Sequence, residues 1–358
     1  MLEGSALIAM SGGVDSSVAA YLMKQQGFDC IGATMKLFSN DDIGDKSRTC
    51  CSLSDIEDAR SVAQKLDMPF YVFNFTADFK KWVIERFVNA YQNGETPNPC
   101  IDCNRFLKFE RFLNRAKQLN LDYVVTGHYS RVEYDKGGKC YLLKKACDLS
   151  KDQSYALYHL TQEQMKRTQF PLGELQKSHV REIAYENGFT NAKKRDSQDI
   201  CFVPGGDYAA FVEQYTGKSY DVGDFLSPSG EVLGKHKGII RYTVGQRKGL
   251  GLTSENPLYV CDICAKSNSV VVGGDESLYT KVLFARDINL TAISQISSPM
   301  KLHAKIRYNQ KEQPATVRQI DSDRLRVEFE SPQRAITRGQ AVVLYDGEVV
   351  VGGGTISQ

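Results

Sequence analysis

A chain of 358 residues with 42% hydrophobic content is long enough for two or three domains, each with its own core. Its 45 basic and 43 acidic residues leave a net charge of +2, so no global field marks a polyanionic partner, although a basic stripe on one face fits that total. The opening MLEGSALIAM lacks a basic secretory n-region, and no apolar run approaches the ~18 residues that span a bilayer, which predicts a cytoplasmic protein with no membrane partner.

The first 130 residues alternate strand and helix signals. ALIAM is a short apolar run followed by Ser-Gly-Gly, and DSSVAAYLMKQQG reads as a helix closing on Gly27. CIGATMKLF predicts a second strand. SLSDIEDARSVAQKL predicts a helix with Ser52 as N-cap and Asp55 three residues on, a short-armed capping box. FYVFNF is a third strand, DFKKWVIERFVNAYQNG a helix ending at Gly94, RFLKFERFLNRAKQL another helix, and DYVVTGHY a fourth strand. This alternation predicts an α/β fold with a doubly wound, Rossmann-like parallel sheet whose ligands sit at the strand carboxyl ends. From about Tyr155 to Phe202 the pattern is helical. Beyond PGGDYAAFVEQYTG it changes to Gly-rich short strands, with a hairpin around residues 266–268. From about Leu283 onward strand follows strand, with turns such as Asp346-Gly347, the texture of a small β-barrel. The expected organisation is an α/β catalytic domain over 1–204, a small central α+β domain over 205–280 and a C-terminal β-barrel over 281–358.

AMSGGVDSS, residues 9–17, lies between the first strand and the first helix. Ser11, Gly12 and Gly13 let the backbone bend close to a ligand, and the helix start aims its free N–H groups at an anion. Ser16 and Ser17 add hydroxyls, while Asp15 is placed to cap the helix or to hold a magnesium ion on bound phosphates. A Walker loop would carry a lysine here, and this loop has none. The plain alternative is a tight turn with a Ser/Asp cap. The run Ser-Gly-Gly-Val-Asp-Ser is instead similar to the PP-loop group of ATP pyrophosphatases, which implies attack on the α-phosphate, pyrophosphate held in the loop, and a substrate activated as an adenylate.

Ten cysteines in a reducing compartment do not make a stapling framework, so a clustered pair points to metal binding or thiol chemistry. Cys261 and Cys264 lie in a predicted strand, where a three-residue offset sends them to opposite faces, as packing residues. Cys30, Cys50, Cys51, Cys140 and Cys147 carry no spacing signal. Cys100 and Cys103 follow the stiff TPNP and precede the helix expected from Arg105. A thiol there has its thiolate favoured by the helix dipole and by Arg105 and Lys108. Cys201, in RDSQDICFVP, follows the basic run Lys193-Lys194-Arg195.

With that loop, the blocks TPNPCIDCNRFLKF, VVTGHYSR, KDQSYALYHL, SQDICFVPGGDYAAF, YTVGQRKGLGL, KIRYNQ and RGQAVVLYDGEVVVGGGTI span nearly the whole chain, and together they resemble the tRNA-specific 2-thiouridylase family. The resemblance implies that ATP activates the wobble uridine (U34) of tRNAs of the Lys, Glu and Gln type, whose C2 oxygen is then replaced by sulfur. It implies an ATP site at Ala9, Met10, Ser11, Gly12, Gly13, Val14, Asp15, Ser16, Met35 and Gly127, with Mg2+ on the phosphates. Cys103 matches the nucleophile and Cys201 the persulfide carrier, loaded by a sulfur-carrier protein or a cysteine desulfurase relay. Asn98, Pro99 and Cys100 match the segment that meets the base. His128, Lys151, Asp152, Gln153, Arg307, Tyr308 and Gln340 match tRNA-contacting positions. A tail with 11 Lys/Arg against 8 Asp/Glu over 281–358 fits backbone binding.

The chain departs from the best-known family pattern at Cys100, where that pattern has an aspartate. Cys100, Cys103 and Cys201 could therefore ligate a [4Fe–4S] cluster with one open iron, as an alternative to the persulfide and disulfide route. Zinc is a weaker option, since no histidine lies near Cys201 in the sequence. Two competing functions are a PP-loop ligase acting on a small metabolite and a non-catalytic tRNA-binding protein.

Overall fold

The computed structural model describes residues 4–38, 53–194 and 200–357. They divide into two compact units. The first comprises the chain up to Val83, Cys100–Gly206 and Glu348–Val351; the second comprises Ile84–Pro99, Asp207–Gly347 and the chain from Gly352.

The first unit is built on β1 (Ser5–Ala9), α1 (Val14–Gln25), β2 (Asp29–Lys36), α2 (Leu53–Lys65) and β3 (Phe70–Asn74). The helical runs α3 (76–92), which passes into the second unit at Ile84, and α4 (99–118) follow, then β4 (Tyr123–Val125), a hairpin of β5 (Arg131–Asp135) and β6 (Cys140–Lys144), α5 (Gln162–Lys166), β7 (Thr168–Gln169) and α6 (Lys177–Glu186). Five parallel strands lie in the order β3-β2-β1-β4-β7, as the alternating pattern required. Ala6, Leu7 and Ile8 of β1 are wholly buried, and Ala6 and Ile8 share one core with Val18, Ala19 and Ala20 of α1 and Ala59, Val62 and Ala63 of α2. The order reverses beside β1, with β2 and β3 on one side and β4 on the other. That switch point opens a crevice at the carboxyl ends of β1 and β4.

Three local features differ from the sequence reading. The helix expected from Arg105 begins at Pro99, whose missing N–H and fixed φ suit a first helical position. Its middle, Cys103–Arg111, is π-helical, with Phe112 N–H bonded to the Leu107 carbonyl five residues back; α3 has a shorter π turn at Lys80–Ile84. The fourth strand stops at Val125, leaving Thr126–Tyr129 irregular. β7, only two residues long, falls inside the stretch read as helical, because two residues cannot express a period. The expected N-cap Ser52 lies outside the described residues.

The second unit holds α7 (Tyr208–Thr216), N-capped by Asp207, whose Oδ1 accepts from Ala210 N at 2.9 Å. Four strands, β8 (Gly223–Leu226), β9 (Val232–His236), β10 (Tyr259–Cys264) and β11 (Ser269–Gly273), form a sheet in the order β10-β11-β8-β9. The remaining strands are β12 (Tyr279–Leu290), β13 (Met300–Lys305), β14 (Gln313–Gln319), β15 (Leu325–Arg334), β16 (Ala341–Asp346) and β17 (Val349–Ile356). They close a six-stranded barrel in the order β12-β15-β14-β13-β16-β17, with β17 pairing back onto β12. The expectation for Cys261 and Cys264 fails here. A bulge between Val260 and Asp262 breaks the alternation, so Val260 and Ile263, also three apart, are both buried. Among the described residues no helix is long and apolar enough to cross a membrane.

Gly12 shows how packing constrains the crevice. Its φ is +72°, and a Cβ there would stand 2.2 Å from the Asp55 carbonyl oxygen, at the start of α2. Gly12→Ala should therefore cost about 3 kcal/mol or more, from left-handed strain plus a backbone collision. Hydrogen exchange of β1 and α1 amides checks this, and unchanged protection would refute the packing argument.

Candidate active site at the ends of strands β1 and β4

The turn after β1 is held from inside. Met10 is buried, its N–H bonded to Ala33 O and its carbonyl accepting Thr34 Oγ1 at 2.6 Å. Ser11 N donates to Ser16 Oγ at 3.1 Å, while Ser16 Oγ and Ser17 Oγ donate to Gly13 O at 3.0 and 3.1 Å. The two hydroxyls therefore brace the turn instead of reaching outward, contrary to the sequence reading. Gly13 is the N-cap of α1 and supplies no side-chain cap, so the first-turn amides keep their capacity for an anion. Ala9 and Met35 are half-buried strand residues beside the turn, and Val14 is buried.

Asp15 is neither a helix cap nor an open metal ligand. Lys177 Nζ reaches both of its carboxylate oxygens, at 2.7 and 2.8 Å, and Tyr129 OH donates to Oδ1 at 2.9 Å. Lys177 is only 8% exposed, and its backbone N–H is fixed by Asp148 Oδ2 at 3.0 Å. A second cation, Lys194, bonds to Asp55 at 2.5 Å, Asp58 at 2.9 Å and Gly12 O at 3.3 Å. Burial alone would lower its pKa, but those two carboxylates more than offset this and raise it. Buried Asn191 donates to Gly12 O and Ser17 Oγ at 3.0 and 2.9 Å. Sequence reading missed Lys177 and Asn191. The one available signal was the missing Walker lysine, which implies a cation from elsewhere in the chain.

Gly127 joins the turn to the thiol-bearing helix. A Cβ at Gly127 would lie 2.7 Å from both Asp15 C and Ser16 N. The next residue, His128, is buried between the Phe109 and Phe170 rings, each 5.9 Å away. Its Nδ1 is 2.6 Å from Thr126 Oγ1 and its Nε2 is 3.3 Å from Lys108 Nζ. An ammonium only donates, so Nε2 is the acceptor and the ring proton sits on Nδ1, facing Thr126. Burial, and then the Lys108 charge, hold the imidazole pKa well below its ordinary value.

Cys103 opens the π-helical stretch, one turn after exposed Cys100. Its expected activation by the helix start is overturned, because burial pushes the thiol up to about 11. Lys108 opposes that rise, while Cys100 and Asp102 add to it. Cys201 is half-buried, and its neighbour Phe202 packs edge-on against Phe79 of α3 at 5.6 Å. The same helix meets α4 through the Trp82–Phe106 stack at 4.7 Å and the Asp78–Arg111 ion pair at 3.0 Å. The segments bearing Cys103 and Cys201 thus pack on one helix. Cys30, Cys103, Cys140, Cys147, Cys261 and Cys264 are free thiols. Among the described residues no group of three or more Cys, His, Asp or Glu side chains is gathered for a metal, so the Cys100–Cys103–Cys201 set does not fit a cluster as arranged here.

The other sequence-marked residues have mixed settings. Asp152 is buried, accepting from Ala146 N and from Ser154 N and Oγ. Gln153 Oε1 accepts from Tyr129 N at 3.0 Å, which fixes the ring that contacts Asp15. Lys151 is half-buried. In the second unit Arg307 donates to Ala335 O at 2.6 Å, Tyr308 is exposed with Lys305 5.6 Å over its ring, and Gln340 Nε2 donates to Thr96 O at 2.7 Å. Asn98 is half-buried and Pro99 buried.

Three family models match the chain: the tRNA methyl transferase HUP domain over residues 5–205, the tRNA methyl transferase PRC-barrel domain over 209–274 and the aminomethyltransferase beta-barrel domain over 280–356. The tRNA-specific 2-thiouridylase MnmA of Clostridioides difficile (strain 630) is 51% identical over 352 residues, 98% of this chain and 98% of that protein. Its counterpart in Acetivibrio thermocellus is 50% identical over 358 residues, covering 99% of this chain and 100% of that protein. That of Lachnoclostridium phytofermentans is 49% identical over 352 residues, 98% of each. The chain belongs to the tRNA-specific 2-thiouridylase family.

His128 gives a pH prediction. His236 is likewise buried and its pKa lowered, by burial first. Both stay neutral in the fold while the unfolded chain binds protons near pH 6.5, so stability falls as pH drops below that value. His128→Phe should flatten, without removing, the loss of urea midpoint between pH 7.5 and 5.5; an unchanged slope would contradict the burial argument.

Proposed function

We propose that this protein is a tRNA-uridine 2-sulfurtransferase, with ATP and a tRNA carrying a wobble uridine as its substrates, acting in the cytoplasm. Support comes from one geometric fact: the turn after β1 and the helix bearing Cys103 meet at a single strand end, through Gly127 and the Lys108–His128 contact.

The turn and the free amides of α1 receive the phosphates of ATP. Lys177 and Lys194 supply the positive charge that a Walker lysine would give. Lys177 is held by Asp15 and Lys194 by Asp55 and Asp58, and both reach the turn from distant segments. Met35 and Gly127 border the nucleoside. Magnesium enters with ATP, since the Asp15 carboxylate is already engaged by Lys177 and Tyr129.

Attack of the uridine C2 oxygen on the α-phosphate releases pyrophosphate and turns a poor leaving group into AMP. The terminal sulfur of a Cys201 persulfide then bonds to C2 and AMP departs. The Cys103 thiolate attacks the Cys201 sulfur, the persulfide bond breaks, and 2-thiouridine leaves as a Cys103–Cys201 disulfide forms. In the other order Cys103 first releases hydrosulfide, which attacks C2; the oxidised product is the same. An external dithiol returns two electrons per cycle, and a sulfur-carrier protein or desulfurase relay reloads Cys201. Asn98, Pro99 and Cys100 approach the base. Lys151, Arg307, Tyr308 and Gln340 meet tRNA, with Asp152 and Gln153 ordering their loop.

Cys103→Ser and Cys201→Ser should each abolish 2-thiouridine in nucleoside mass analysis while tRNA binding persists. Lys177→Met should slow tRNA-dependent pyrophosphate release about 100-fold, in line with loss of one charged group at a phosphoryl centre. Thiolation that survives either cysteine change would end this mechanism.

A further inference from the structure

The ion pair between Lys177 and Asp15 is held by more than its own two contacts. An ammonium on a four-carbon stem is a point charge with rotatable donors, so a carboxylate alone sets its distance and leaves its direction free. Tyr129 supplies two further points from one side chain. Its hydroxyl donates to Asp15 Oδ1 at 2.9 Å, and Lys177 Nζ stands 5.5 Å from the centroid of its ring. The residue is only 2% exposed, so packing fixes the plane of that ring. Tyr129 and Lys177 are also mounted on one loop. Gln153 Oε1 accepts from Tyr129 N at 3.0 Å and Gln153 N donates to Tyr129 O at 2.8 Å, while Asp148 Oδ2 accepts from Lys177 N at 3.0 Å. Asp148 is in turn fixed by Ser150, whose N and Oγ donate to its Oδ1 at 3.0 and 2.6 Å. Residues 148–153 thus grip the backbones of both.

We infer that Tyr129 is a positioning residue that aims the Lys177 ammonium at the turn after β1, with the loop 148–153 as its mount. This rests on that turn being the ATP site of the reaction proposed above. Tyr129 acts through Lys177 and not on the nucleotide: its hydroxyl meets Asp15 and its face meets the ammonium. It exchanges no proton and forms no covalent bond. What it removes is a rotation. Asp15 Oδ1 holds two donors from different side chains, Lys177 at 2.7 Å and Tyr129 at 2.9 Å, which fixes the carboxylate plane and through it the ammonium. Without the hydroxyl the pair persists by charge but turns as a unit. A group displaced by about 1 Å from its productive position can cost about 100-fold in rate. The same loop carries Lys151, proposed above to meet tRNA, so the RNA-facing segment and the phosphate-site cation share one support.

The test uses the full chain carrying Tyr129→Phe, which keeps the ring beside Lys177 and deletes only the hydroxyl. In tRNA-dependent pyrophosphate release it should lower kcat about tenfold and leave the KM for ATP within about twofold, the pattern of an interaction realised in the transition state. In a Lys177→Met background the same change should cost less than about twofold more, because Tyr129 acts through that ammonium. Acylation by the N-hydroxysuccinimide ester of acetate, without tRNA or ATP and quantified by mass spectrometry, gives a readout that needs no turnover. Lys177 should react about fivefold faster in Tyr129→Phe, as expected for loss of one charge-assisted hydrogen bond, while Lys194, held by Asp55 and Asp58, reacts as before. Gln153→Leu removes the acceptor from Tyr129 N and should accelerate Lys177 in the same direction; it takes over should the phenylalanine variant fail to fold. Parental kcat, a change confined to KM, an additive loss in the double variant, parental acylation of Lys177 or equal acceleration at Lys194 would each overturn the inference. Faster acylation of Lys177 in a protein that releases no pyrophosphate would instead remove the proposed function and leave Tyr129 as the holder of the pair.

Discussion

The constraint that organises the site is the approach of Gly127 to the backbone of Asp15 and Ser16, where a Cβ would lie 2.7 Å from Asp15 C and Ser16 N. This contact fixes the end of β4 against the turn after β1, and the rest of the site follows from it. Thr126 and His128, on either side, hold Lys108. Tyr129, one residue further, reaches Asp15, and Gln153 fixes Tyr129. Four consecutive residues thereby connect an anion-binding turn to a thiol-bearing helix. No mobile element is required to relate the two, because both are referred to one strand end in a parallel sheet.

The same region solves an electrostatic problem differently from a Walker loop. A lysine inside such a loop is carried by the segment that wraps the phosphates. Here the cations come from far along the chain, and each is neutralised in advance by a carboxylate: Lys177 by Asp15, Lys194 by Asp55 and Asp58. Pairing lowers the cost of keeping ammonium groups half out of water, and it orients them before any ligand arrives. It also makes Asp15 part of the scaffold, which explains why its carboxylate is saturated by hydrogen bonds.

What could be read from the sequence was whatever has a short-range signature. The doubly wound sheet came from alternating periods, and the phosphate turn from Ser-Gly-Gly-Val-Asp-Ser after an apolar run. Lys177 escaped notice because 162 residues separate it from Asp15 and its own neighbourhood, QKSHV, is ordinary helix. The bulge in β10 escaped because strand alternation assumes no extra residue. At Cys103 the helix start and nearby charge are legible locally, but desolvation, the larger effect, depends on tertiary packing that no local pattern encodes. Gly12 was read as making room for a ligand, whereas its immediate neighbour is the Asp55 backbone.

The π-helical stretch from Cys103 to Arg111 has a geometric corollary. Five-residue hydrogen bonding, as from Phe112 back to Leu107, widens each turn and alters the angular phase between successive side chains. Leu107, Phe109 and Phe112 keep their places in the core through this wider winding. The wider winding resets the direction in which the residues between these anchors project, while the layer beneath stays packed.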